Sequence, residues 1–291
     1  MRLQQTPTSI SLDQERHIET FLEASGMSEA HSASSPAVPV HFPDEEAKNA
    51  EDKQTEADQP LPAHLVEEYQ SLVGSELYIS DCTRWDITFA TNRACQKMSR
   101  PTKKDLEAAK RIQHYLRHKT CQPLVFRKST DPHAWPVLEV YSDASHADAS
   151  LGRSTAGYLC LLNGTPIAWK SKILPHQALS TCESEYMALA LALQECLFVK
   201  QICEELHAPV HTPIALYCDN QAALQLVDNP VHHQRTKHLN AKYHLIRAQT
   251  IGGIVKPQWV STKAMLADIF TKALPPIQHE QFVKLILSSC A

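Results

Sequence analysis

"VLEVYSDASHADASLGRSTAGYLCLLNGTPIAWKSK", residues 137–172, contains three apolar runs separated by turn-forming residues. Val137, Leu138, Val140 and Tyr141 read as one strand, "STAGYLCLLNG" as a second and "TPIAWKSK" as a third. Asn163-Gly164 between the last two is a tight hairpin signal, so three consecutive antiparallel strands are expected. The first strand runs into two aspartates, Asp143 and Asp148, where an apolar run would otherwise bury valine or tyrosine.

Downstream, "STCESEYMALALALQECLFVKQICEELH" reads as a long apolar helix and "TPIALYCDN" as a short buried strand. "QAALQLVDN" and "RTKHLNAKYHLIRAQT" read as helices, "GIVKPQWV" as a strand and "AMLADIFTKAL" as a closing helix. Three strands, helix, strand, helices, strand, helix imply an α/β fold with a mixed five-stranded sheet flanked by helices. Polar groups at strand ends can gather at one rim of such a sheet.

Upstream the pattern is helical. "LVEEYQSLVGSELYISDCT" with "DITFATNRACQKMS", and then "PTKKDLEAAKRIQHYLRH" with Pro101 near its start, predict a small helical unit over residues 63–134. "ISLDQERHIETFLEASGM" predicts a short helix capped by Ser11 or Asp13 and ended by Gly26, with no visible core to pack on. Residues 28–62, rich in Ser, Ala, Pro and acids and nearly free of large apolar residues, read as a disordered acidic linker.

At 291 residues with 43% hydrophobic content, the chain can bury the cores of one large or two modest domains. No apolar run approaches the roughly 18 residues of a membrane span, and the N-terminal residues lack the blocks of a secretory signal, so an intracellular setting without a membrane is expected. The nine cysteines form no CxxC pair, which favours reduced thiols over disulfides or zinc. The net charge of -4 is unevenly spread: residues 1–62 carry 4 basic against 12 acidic groups, residues 63–135 carry 12 against 8, and residues 136–291 carry 12 of each. Residues 232–272 hold seven basic side chains and one acid, Asp268, which permits a basic face beside an isolated carboxylate or simply a solvated surface.

Four acids stand where the pattern does not need them. Asp143 ends the first strand, Asp219 ends the strand "IALYC", Glu185 lies on the core side of the long helix, and Asp268 is flanked by Leu266, Ala267, Ile269 and Phe270. Glu183 is different, because Ser180-x-x-Glu183 is a capping box. Each of the four also has an ordinary reading, as a strand-end turn former, a residue favoured at a helix N-terminus, a cap or an ion pair. Clustered carboxylates without matching positive charge repel, and divalent cations relieve this. Oxygen-only ligands favour magnesium or manganese over zinc, and two such ions can hydrolyse a phosphodiester.

The stretch from "YSDASHADAS" to "LALQECLFVKQI", with "LYCDNQAALQL", "RTKHLNAKYHLIR" and "ADIFTKAL", resembles the ribonuclease H domain of copia-type LTR retrotransposon Pol polyproteins. "YQSLVGSELYISDCTRWDITFATN" and "PTKKDLEAAKRIQHYLRHKT" are similar to the reverse transcriptase thumb and connection, and "ISLDQERHIETFLEASGM" resembles the end of the palm. The resemblance implies a palm remnant over 1–27, the linker, thumb/connection over 63–134, a ribonuclease H domain over 135–275 and a C-terminal helix over 276–291. It further implies hydrolysis of the RNA strand of an RNA–DNA hybrid with two Mg2+ or Mn2+ ions. Asp143 would bridge both ions, Glu185 bind one, Asp219 hold the ion near the attacking water and Asp268 complete the second site.

Asn220 and Gln221 would meet minor-groove sugar hydroxyls or cap a helix; Arg153 and Ser154 would touch phosphate or form the turn leading into a strand. Arg235 and Lys237 belong to the basic face. Other parts of a retrotransposon polyprotein are implied partners, in cytoplasm or nucleus.

Against that pattern, "VSTKAML" lacks the histidine that cellular ribonucleases H carry before the last aspartate, and Glu76 stands where relatives have an apolar residue. No YxDD-like pair, fingers or palm core is present, so DNA synthesis is not expected. The rival reading is a catalytically idle nucleic-acid-binding remnant of such an element.

Overall fold

The computed structural model describes residues 1–39, 58–129, 131, 134–148, 152–228 and 240–288. The chain divides into two compact units, one built mainly from residues 11–124 and the other mainly from residues 125–272. Three short strands, β1 (Arg2–Gln5), β2 (Ser9–Asp13) and β3 (Leu124–Arg127), accompany them.

The first unit is helical, with α1 (Glu15–Ala24), α2 (Ala63–Cys82), α3 (Thr88–Cys95) and α4 (Lys103–His118). Neither expected cap residue is the N-cap: Gln14 holds that position without a side-chain capping bond, and Asp13, one residue earlier, accepts the Glu15 amide at 3.1 Å. Gly26 closes α1 at φ +68°, where Met27 N–H reaches Leu22 O and Gly26 N–H reaches Glu23 O, a Schellman ending. The expectation that α1 lacks a core is corrected: Ile18 and Leu22 are buried among Ile79, Ile87, Ala90, Ile112, Tyr115 and Leu116. Two apolar positions one turn apart are enough once three other helices supply the rest of the pocket.

Pro101 lies one residue before the cap of α4, whose N-cap is Thr102 in a full capping box with Asp105. Of the segment read as linker, residues 40–57 lie outside the described residues. Ala33 and Ala37 pack on the α1–α4 core and Arg111 donates to Ser35 at 3.2 Å. At the far end of that segment Leu61 is buried with Tyr69, Val73 and Ala109.

The second unit holds the mixed five-stranded sheet the sequence implies. Its strands are β4 (Leu138–Ser145), β5 (Thr155–Leu162), β6 (Thr165–Ile173), β7 (Ile214–Cys218) and β8 (Val255–Trp259), in the order β6-β5-β4-β7-β8. β4 is antiparallel to β5 and parallel to β7, and β7 is parallel to β8. Asn163 and Gly164 take φ +48° and +79°, the two left-handed residues a two-residue hairpin needs.

α5 (Thr181–Glu205) covers one face of this sheet. Leu189, Leu193 and Cys196 pack with Val140, Cys160 and Leu216, while Met187 and Ala188 pack with Ala144 and Ala156. By length and composition α5 could cross a membrane, but here it is the core helix of an α/β unit. α6 (Gln221–Asp228) and α7 (Asn240–Ile251) follow in the same unit. All eight described cysteines are free.

The closing helix expected over "AMLADIFTKAL" does not form. Thr262–Ala264 and Leu266–Phe270 are separate 3-10 turns, and the helix comes afterwards as α8 (Pro276–Ser288). Leu266, Ala267, Ile269 and Phe270 are all buried, so this segment has no polar side to turn outward and tightens against the sheet.

Candidate active site

Asp143, expected to end its strand, lies inside β4, which runs two residues further to Ser145. Val140 and Ala144 belong to the two apolar clusters that α5 covers. Strand alternation then turns Asp143 to the opposite face, in register with Gly157 of β5. The turn carrying Asp268 packs there. A Cβ built on Gly157 would lie 2.6 Å from Phe270 Cβ and 2.8 Å from Thr271 Cγ2, so only glycine admits the turn this close. Asp148, the other acid of the opening stretch, has a local task, since its Oδ1 accepts both Thr155 N–H and the Thr155 hydroxyl at 2.9 Å.

The turn grips Asp143 with two consecutive residues. The Thr271 hydroxyl donates to Asp143 Oδ2, and Lys272 Nζ lies 3.5 Å from the same oxygen and 3.0 Å from Asp268 Oδ1. Both carboxylates are almost wholly buried.

Glu185 and Asp219 arrive from the other side. Ser180 caps α5 by accepting Glu183 N–H at 3.2 Å, and the Glu183 carboxylate takes Leu179 N–H at 2.7 Å, which confirms Glu183 as a helix-end residue. Glu185, two positions on, points inward and is buried. Asp219 follows the last residue of β7. Its Oδ2 accepts the Thr262 hydroxyl at 2.9 Å and its carbonyl accepts the Trp259 indole N–H at 3.1 Å. Ligand atoms of Glu185, Cys218 and Asp219 lie within 4.8 Å of one another.

The charges in this site oppose one another. Burial, with Asp143 and Asp219 nearby, pushes Glu185 up to about 9. Burial and Asp143 push Asp268 up to about 7, against the pull of Lys272. Burial pulls Lys272 down, but Asp143 and Asp268 outweigh it and carry the ammonium up to about 12. One oxygen of Glu185 takes the Ala144 backbone amide, while Oε2 is buried with no hydrogen-bond partner among the described residues.

A buried, unpartnered carboxylate oxygen amid other acids is costly unless a cation meets it. Oxygen donors from four carboxylates fit a hard ion such as Mg2+ or Mn2+. Cys218 does not redirect the site to zinc, because burial and Glu185 raise its thiol and leave it protonated.

All four acids expected from the sequence are thus in one site. The binding candidates divide. Asn220 caps α6, its Oδ1 accepting Ala223 N–H at 3.0 Å, which is the structural alternative for this residue. Gln221 is exposed at the start of α6. Ser154 is buried and its hydroxyl accepts Ala147 N–H at 3.1 Å, while Arg153 is half-buried beside it. Arg235 and Lys237 lie outside the described residues.

Sequence reasoning misses Thr262, Thr271 and Lys272. Lys272 alone carries a signal, four residues after Asp268. The threonines carry none, since their partners are distant in sequence.

The chain matches no protein-family profile. It is 33% identical over 287 residues to the retrovirus-related Pol polyprotein from transposon TNT 1-94 of Nicotiana tabacum, covering 97% of this chain and 20% of that protein. It is 34% identical over 281 residues to the corresponding polyprotein from transposon RE1 of Arabidopsis thaliana, covering 96% and 18%. The chain therefore spans about a fifth of the length of these relatives. Among solved structures it is similar to LC11-RNase H1 in complex with RNA/DNA hybrid, with a TM-score of 0.35 and 15% identity over 46% of this chain and 93% of that one. Aligned along nearly its whole length with transposon polyproteins at 33–34% identity, the chain is homologous to one segment of the copia-type retrotransposon Pol polyproteins.

Proposed function

We propose that the sheet unit is a metal-dependent endonuclease of ribonuclease H type that hydrolyses the RNA strand of RNA–DNA hybrids. The observation that carries this reading is the convergence of Asp143, Glu185, Asp219 and Asp268, close enough for Asp143 and Asp219 to act on both other acids, with one buried Glu185 oxygen lacking a hydrogen-bond partner among the described residues. Those four residues would hold Mg2+ or Mn2+. Hard divalent ions so placed lower the pKa of a bound water and stabilise the leaving oxygen of a phosphodiester.

The chain's own residues set the geometry. Thr262 fixes Asp219 and Thr271 fixes Asp143, so neither carboxylate has to be ordered when substrate arrives. Trp259 is 54% exposed with its indole edge pinned to the Asp219 carbonyl, which leaves a ring face beside the acids for a base or sugar. With the Asn220 side-chain oxygen occupied in capping, the exposed Gln221 is the better placed of that pair to meet a 2′-hydroxyl.

The test is cleavage of a labelled hybrid by the purified chain. Nicking of the RNA strand with Mg2+, none with EDTA, and a loss of about a hundredfold or more in Asp143→Asn are expected. A folded chain that leaves the hybrid intact in Mg2+ and Mn2+ would refute the nuclease and favour the idle remnant.

A further inference from the structure

Lys272 makes this carboxylate cluster unlike a set of four free acids. Its ammonium sits 3.0 Å from Asp268 Oδ1 and 3.5 Å from Asp143 Oδ2. The adjacent Thr271 hydroxyl donates to that same Asp143 oxygen. A carboxylate oxygen offers two lone-pair directions. On Asp143 Oδ2 one is taken by Thr271 and the other faces the ammonium, so Oδ1 is the oxygen left for an external cation. Glu185 Oε2 and Asp268 Oδ1 are both buried without a hydrogen-bond partner among the described residues, but Asp268 Oδ1 has the Lys272 ammonium at 3.0 Å, whereas the Glu185 and Asp219 side has no such internal cation among the described residues.

We propose that Lys272 is a built-in cation that fills the position between Asp143 and Asp268, so that the chain takes one divalent ion, on the Glu185–Asp219 side, and not two. This rests on the ribonuclease H reading and deepens it. Four carboxylates and one ammonium leave three formal negative charges. One divalent ion reduces these to one, and a second would compete with the ammonium for Asp143 and Asp268 at close range, where like charges repel strongly. The turn brings the groups together: Lys272 and Asp268 are four residues apart on a segment whose apolar residues are all buried, and departure of the partly exposed ammonium would leave two buried carboxylates without their counter-charge. Lys272 acts here as a positioning residue through the acids and not on the substrate.

The experiment counts Mn2+ bound per chain, by the paramagnetic signal of free Mn2+ during titration of the full chain. The native chain should bind one ion, and Lys272→Met and Lys272→Gln should bind two. In EDTA, both variants should melt below the native chain, and Mn2+ should remove the difference. Two ions on the native chain, or one on both variants, overturns the proposal. If the variants do not fold, the native count decides alone. A native chain that binds two ions and still cleaves hybrid defeats only the role of Lys272. A chain that binds no Mn2+ and cleaves nothing defeats the nuclease reading as well.

Discussion

Glu76 is wholly buried on α2, and neither of its carboxylate oxygens has a hydrogen-bond partner among the described residues. Burial raises its pKa well above the ordinary carboxylate range, which favours the protonated form in the folded chain. The unfolded chain releases that proton near pH 4.3, at about the ordinary glutamate value. Above that pH the folded state holds more protons than the unfolded one, and Glu76 therefore lowers stability progressively as pH rises toward its folded pKa. Glu76→Leu should raise the thermal midpoint, with a gain that grows as pH rises above about 5. Melting curves at several pH values check this, and a pH-independent gain would contradict it. Glu76 is legible as an oddity in the sequence because it stands where relatives have an apolar residue. Lys272 is not legible in the same way, since a lysine four residues after an acid is an ordinary helical pair and nothing local announces Asp143 across the sheet.

At the scale of elements, the strands of the sheet, with Asp143 near the end of one and Asp219 just after another, follow from the sequence, because period-two alternation and the Asn163-Gly164 turn leave little freedom. The segment carrying Asp268 does not follow. Its apolar run suits a helix by composition, and only the available space, set by Gly157, shows that a tighter turn has to fit. Gly157→Ala puts a methyl where Phe270 Cβ and Thr271 Cγ2 already lie, and overpacking of this kind costs about 1–3 kcal/mol. Because the displaced residues are those that hold Asp143 and Asp268, Mn2+ affinity should fall about tenfold or more while the far-ultraviolet circular dichroism stays native. Titration calorimetry beside the spectrum decides it; unchanged affinity would show that the turn tolerates the shift. The same limit applies to α1, whose two buried residues reveal no partner until α2 and α4 are in place.

Across the whole molecule, a divalent ion held as proposed would couple folding to ion binding. An ion that binds the folded chain alone stabilises it by about 2.7 kcal/mol at a hundred times its dissociation constant. Mg2+ should therefore raise the thermal midpoint of the native chain, and Glu185→Gln should abolish most of that rise while making the metal-free chain more stable, since it removes a buried acid repelled by Asp143 and Asp219. Scanning calorimetry with Mg2+ and with EDTA measures both effects. Equal midpoints for the native chain in the two conditions would rule out a working metal site. Composition and pattern disclose the α/β class and the acids. They do not disclose this coupling, which depends on oxygens whose spacing is fixed only by the completed sheet.

The bond from Thr271 to Asp143 joins positions 128 residues apart, and it closes the site with nearly the last segment of the sheet unit to be translated. A nascent chain paused before that point carries three of the acids but neither the fourth nor the lysine that steadies it. A chain folded only to that point therefore cannot complete the candidate site.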